Sequence, residues 1–101
     1  MPSYFAVRRV RGPAWNAALP LRSQALWDEH ARFMNALTAE GFILLGGPVG
    51  SGEEFEAALL VIRADSEAAV RGRLAADPWT EAKLLEIARV EPWTILLDAR
   101  A

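Results

Sequence analysis

Residues 23–41, SQALWDEHARFMNALTAEG, read as one amphipathic helix and run straight into a second strand, Phe42 to Leu45, closed by the turn-forming Gly46, Gly47 and Pro48. At about 100° per residue, Leu26, His30, Phe33, Met34 and Leu37 share one face, and Asp28, Arg32, Asn35 and Ala39 share the other. Ser23 is a good N-cap residue and Gly41 is the usual residue just past a helix end. The only histidine in the chain, His30, therefore points at the core. A neutral ring buried without partners costs roughly 1–3 kcal/mol, where a leucine would gain about 1.5–3 kcal/mol. Either a buried group satisfies this ring or a pocket lies beneath it.

Upstream, residues 4–10, YFAVRRV, form a first strand whose alternate sets are Tyr4, Ala6, Arg8, Val10 and Phe5, Val7, Arg9. The connection to the helix, residues 11–22, RGPAWNAALPLR, holds two prolines, a glycine and Trp15. Connections this long are disproportionately lids or binding loops; the alternative reading is a wandering loop whose Trp15 and Leu19 cover one end of the core.

Downstream of Pro48, residues 49–53, VGSGE, form a glycine-rich turn, and residues 55–63, FEAALLVIR, a third strand paired as a hairpin with the second. Gly46, Gly47, Gly50 and Gly52 match no phosphate-loop spacing and lead into a strand, so turn chemistry accounts for them. Ser66 caps the next helix, Val70 and Leu74 form its apolar stripe, and Asp77 sits one turn further along that stripe before Pro78 ends the helix. The segment PWTEAKL supplies a short extra turn, and residues 85–97 a last strand bent at Pro92. The order strand, helix, strand, strand, helix, strand predicts an α+β, ferredoxin-like βαββαβ fold, an antiparallel sheet with two helices on one face, in a single domain of residues 1–101. Strands two and three are apolar on both faces. The face without helices therefore needs a cover, and the expectation is a homodimer built through the sheet faces.

A net charge of -2 and a pI near 5.4 lack the basic patch that nucleic acid or an anionic membrane surface would need. No run approaches the roughly 20 apolar residues of a membrane span, and the first residues carry no signal-peptide pattern. A cytoplasmic protein is expected. The absence of cysteine removes disulfides, thiolate nucleophiles and thiolate metal sites together.

With one histidine and no cysteine, a His-rich metal cluster cannot be built within one chain, and no metal or cofactor is expected. Ser3, Ser23, Ser51 and Ser66 are the only serines, and two of them read as helix caps, which disfavours nucleophilic hydrolysis. Proton transfer remains. Histidine titrates near neutrality, and a carboxylate on one ring nitrogen fixes its tautomer. Asp77 is the candidate partner of His30, because it continues the core stripe of the second helix as His30 occupies that of the first. The alternative is that Asp77 only caps the next turn, with Pro78 at its first position. Trp15, Trp27 and Trp79 either line a pocket for an aromatic substrate or belong to the core. Arg8 faces the helices or the dimer side, and beneath His30 it would hold an anionic substrate.

The run LWDEHARFMNALTAEGFILLGGPVG, followed by LAADPW and VEPWTILL, resembles the YciI-like (YCII-related) family of small dimeric α/β-barrel proteins. The likeness covers nearly the whole chain and rests on the helix histidine, the GGP turn and the DPW step. It implies a ferredoxin-like protomer, a dimer with sheets face to face, and a site that uses the histidine and aspartate found here as His30 and Asp77. Relatives in that family include an enzyme that eliminates chloride from a chlorinated hydroxyquinol, and the wider superfamily includes muconolactone isomerases, monooxygenases and haem proteins. Such folds host unrelated activities.

Two readings follow. In the first the protein is a small cofactor-independent lyase or isomerase, in which His30 moves a proton on a hydroxylated aromatic or lactone-like substrate while Asp77 orients it. In the second it is a small-molecule-binding or structural dimer in which the two residues form a buried pair. A haem-binding role for His30 is a third option.

Overall fold

The elements follow one another as β1 (Ser3–Arg11), a 3-10 turn (Leu21–Ser23), α1 (Trp27–Ala39), β2 (Ile43–Val49), β3 (Ala57–Ala64), α2 (Glu67–Ala75), α3 (Pro78–Glu81) and β4 (Leu85–Pro92). The computed structural model describes residues 3–50 and 55–100, so residues 51–53 of the expected glycine-rich turn, Ser51 and Gly52 among them, lie outside the described residues. All strand pairs are antiparallel, and the sheet order is β2-β3-β1-β4. This is the expected ferredoxin-like α+β arrangement, with α3 as the short extra turn.

Register decides which residues meet the helices. Val7 lies opposite Leu60 and Arg8 opposite Leu59. Phe5, Val7, Leu60 and Ile62 are buried in one cluster with Leu37 of α1 and with Val70 and Leu74 of α2. Each such side chain contributes roughly 1.5–3 kcal/mol by leaving water. The opposite face carries Arg8 and the exposed Leu45, Val49 and Leu59.

The third strand begins at Ala57 rather than Phe55, and three boundaries differ by three residues or more from the sequence expectation, each for a physical reason. The helix begins at Trp27, not after Ser23, because the preceding residues are committed elsewhere. Gln24 is buried, and its side chain bonds the amide and carbonyl of Asn16 and the carbonyl of Leu19, while the carbonyl of Ala25 accepts the indole N–H of Trp79. Leu26 then turns the chain into the helix at φ 61°, and it is exposed rather than part of the buried face. The second strand does not close at Gly46 but continues through Gly47 and Pro48, paired with Leu60, Leu59 and Ala58. As an edge strand β2 tolerates a proline that a central strand would reject. The last strand ends at Pro92 rather than running to Leu97, since its partner β1 begins at Ser3 and their final bond is Trp93 N–H to the Tyr4 carbonyl.

The helix ends are read more easily. Ser66 Oγ accepts the Ala69 N–H at 3.1 Å, as its residue type predicts. Gly41, at φ 81°, closes α1 with its own N–H on the Thr38 carbonyl and the Phe42 N–H on the Leu37 carbonyl. Lys83 repeats this geometry after α3, with its N–H on Thr80 and the Leu84 N–H on Trp79, but at φ 61° with a side chain that dislikes that region. Lys83 is exposed, so Lys83→Gly is expected to raise stability by about 1 kcal/mol, read as a higher urea midpoint with unchanged slope. Gly12 bonds the Leu84 carbonyl at 2.9 Å, and a Cβ there would come within 2.2 Å of the Lys83 oxygen. The exit of α3 is thus packed directly on the end of β1.

A candidate active site built on a buried carboxylate

Asp77 joins α2 to α3 with an extended backbone, and its side chain caps α3 by accepting the Trp79 N–H on Oδ1 at 3.0 Å, with Pro78 at the first helical position. The same carboxylate meets His30: Nδ1 of the ring lies 2.9 Å from both Oδ1 and Oδ2. The capping and pairing readings of Asp77 are therefore both realised in one side chain. The central strand delivers a third partner. Arg9 Nη1 donates to Oδ2 at 2.8 Å, and Nη2 donates to Thr80 Oγ1 at 2.8 Å. The Thr80 hydroxyl in turn donates a hydrogen bond to the Leu74 carbonyl at 2.8 Å. Asp77 is fully buried and Arg9 only 1% exposed, and the pair survives burial because both carboxylate oxygens and both terminal guanidinium nitrogens are engaged, while Arg9 Nε is left without a hydrogen-bond partner.

The ring is held from a second direction. His30 stacks on the indole of Trp79 with centroids 3.9 Å apart and planes 6° from parallel. Trp79 is in turn fixed by its 2.7 Å bond to the Ala25 carbonyl and by Trp15 and Trp27 against its ring. Two contacts, one polar and one planar, leave the imidazole little freedom.

Burial by itself would push the Asp77 carboxyl up. The hydrogen bonds from His30 and Arg9, the electrostatic pull of the His30 ring and the Trp79 N–H outweigh it, and hold the group below the ordinary 3.8. Asp77 is thus an acceptor only, so the proton in the bond to His30 sits on Nδ1 and Nε2 is the ring nitrogen left for a ligand. A carboxyl depressed on folding adds stability that is fully present above its unfolded value near 3.8 and is lost as pH falls through its lower folded value. We therefore expect unfolding free energy to decline with acid below about pH 4, and Asp77→Asn to remove much of that slope in pH-dependent urea melts.

His30 is also at the wall of a half-open cavity of about 330 Å³ between α1, the edge strand β2 and the sheet. That volume lies at the small end of ligand sites, which run roughly 300–1,000 Å³, and suits a single-ring molecule. Trp27, Trp79 and Arg9 share the wall with His30. Trp15 does not line it but packs behind, edge-on to Trp79 at 5.5 Å and to Phe55 at 5.4 Å. Arg8 is exposed on the opposite sheet face, so the structure does not bring it to His30. Asp28 and Glu29 are exposed as well.

Sequence reasoning missed Arg9, Thr80 and Gln24. For Arg9 one signal was present: it shares its alternate set with Phe5 and Val7, both core residues. Thr80 is tied to Arg9 across 71 positions, and Gln24 folds the loop back on Asn16 and Leu19, arrangements that no helix or strand period encodes. Among the described residues no three His, Asp or Glu side chains gather in a way that would hold a metal ion, and no helix is long and apolar enough to cross a membrane.

Comparison with known proteins agrees with this architecture. The family model for the YCII-related domain matches residues 14–94. Among solved structures the chain is similar to 5-chloro-2-hydroxyhydroquinone dehydrochlorinase from Burkholderia phenoliruptrix AC1100, determined in complex with 2,5-dihydroxybenzoquinone. The TM-score is 0.57 at 22% identity, over 96% of this chain and 97% of that one. No curated protein sequence matches significantly.

Proposed function

The chain belongs to the YCII-related domain family, and from that premise we propose that it is a small lyase or isomerase that needs no cofactor and in which His30 transfers a proton on a single-ring hydroxylated aromatic or lactone-like substrate. One observation carries this reading: the imidazole at the cavity wall has its Nδ1 committed to a buried carboxylate at 2.9 Å. In such a site Nε2 takes a proton from a hydroxyl, or from a carbon next to a carbonyl, and the electron pair of the broken bond moves into the ring or enolate. Asp77 stabilises the imidazolium that forms. The proton then returns at another atom, giving an isomer, or is released to water as an anionic leaving group departs, giving elimination. Asp77, with its oxygens occupied and no exposure, positions the base and does not touch substrate.

The size of the cavity and the half-buried Trp27 on its wall support a planar single ring as the substrate class. The 2,5-dihydroxybenzoquinone held by the structural neighbour is likewise a planar, hydroxylated single ring. A panel of halogenated and unhalogenated hydroquinones, hydroxyquinols and unsaturated lactones, followed by absorbance and by halide release, tests it. Turnover of at least one member without added metal or cofactor is expected. No turnover and no thermal shift with any member would remove the reading and favour a purely structural pair, which the capping role of Asp77 makes the natural rival.

The same reading includes a second copy of the chain. Leu45 is 57% and Leu59 44% exposed on the helix-free face, a position where a monomer loses the benefit of burying them. Sedimentation at twice the 11.1 kDa chain mass is expected, with Leu59→Glu shifting the protein toward the monomer.

A further inference from the structure

Arg9 and His30 compete for one oxygen. Asp77 Oδ2 accepts from Arg9 Nη1 at 2.8 Å and lies 2.9 Å from His30 Nδ1. A guanidinium is always charged. With Asp77 ionised and Arg9 paired to it, the buried group of three is neutral when His30 is neutral and carries a net positive charge when His30 is protonated. Without Arg9, the neutral combination would be carboxylate and imidazolium, and the ring would hold its proton. We propose that Arg9 is a positioning residue for the proton transfer: by neutralising Asp77 it keeps His30 uncharged, so that Nε2 serves as a base rather than as a standing acid.

Other charges do not supply this effect. From α1 itself, Asp28, Glu29 and Arg32 are exposed; from α3, Glu81 is exposed; and from the 3-10 turn, Arg22 is exposed, 5.9 Å from the Trp27 ring. Among the described charged residues besides His30, Arg9 alone reaches the carboxylate that His30 uses, and Thr80 fixes the angle of its fork. The inference rests on His30 being the proton-transfer residue, but its test needs no substrate, so failure of either can be told apart.

Because the chain has one histidine, the imidazole C2-proton signal in NMR belongs to His30 without assignment. Its titration midpoint is to be compared in wild type, Arg9→Met, Arg9→Gln and Arg9→Lys. Removal of a cation sharing the same acceptor is expected to raise the midpoint by about 1–3 pH units in the two neutral variants. Arg9→Lys, which keeps the charge but cannot reach both Asp77 and Thr80, is expected to stay near wild type. A structural role alone would lower the melting temperature of all three and leave the midpoints together, and that result overturns the proposal. Should neither neutral variant fold, citrulline installed at position 9 by chemical ligation, which keeps the shape and the hydrogen bonds of Arg9 without its charge, decides: a raised midpoint supports the proposal and an unmoved one overturns it.

Discussion

Replacing Asp77 by alanine is expected to lower the unfolding free energy by about 3–5 kcal/mol, the cost of orphaning a buried charge. Three losses coincide. Arg9, 1% exposed, is left with Thr80 as its remaining side-chain partner among the bonds described. The first turn of α3 loses its cap, a change that typically costs about 1 kcal/mol. His30 loses the bond that orients its ring. Urea denaturation with a linear extrapolation measures the change, and Asp77→Asn, which keeps the shape and one acceptor, should fall between alanine and wild type. A loss below about 1 kcal/mol for alanine would mean that water replaces the carboxylate at little cost, contrary to the burial described.

His30→Ala is expected to act the other way round, with a large effect on rate and a smaller one on stability. On any substrate that the wild type turns over, kcat/KM should fall by about 10²–10⁴-fold, the usual contribution of a positioned acid or base. Asp77 keeps Arg9 as its counter-ion in this variant, so no charge is orphaned, and the stability loss should be limited to about 1–3 kcal/mol from the lost bond and the stacking on Trp79. Stopped or steady-state assays alongside urea melts separate the two effects. Retention of wild-type kcat/KM would remove His30 from the chemistry, and a stability loss matching that of Asp77→Ala would favour the structural rival.

Much of the fold was legible because it is written in local signals. Ser66, Gly41 and the alternation of apolar residues in β1 and β3 set element types and ends through capping and period. The pair His30 and Asp77 was legible for a related reason: each is a polar residue on an otherwise apolar helical stripe, and two such residues on neighbouring helices have few other partners. What could not be read depends on distant bonds. The late start of α1 follows from an indole 54 residues away that takes the Ala25 carbonyl. The choice between Arg8 and Arg9 depends on strand phase, and an arginine on the core face contradicts the apolar-inside pattern that would set that phase. Only the carboxylate from the α2–α3 junction makes Arg9 tolerable there. The continuation of β2 through Pro48 likewise depends on that strand being at the edge, a property of sheet order rather than of the residues.

The account turns on which nitrogen of His30 carries the proton. Long-range proton–nitrogen NMR on protein labelled with nitrogen-15 at histidine, recorded at about pH 8.5, where an ordinary histidine is neutral, reads this directly from the single ring. The geometry predicts a fixed Nδ1–H tautomer with an unprotonated Nε2, lost to tautomer averaging in Asp77→Asn. An Nε2–H tautomer, or averaging in the wild type, would contradict the claim that Asp77 holds this histidine as a base facing the cavity.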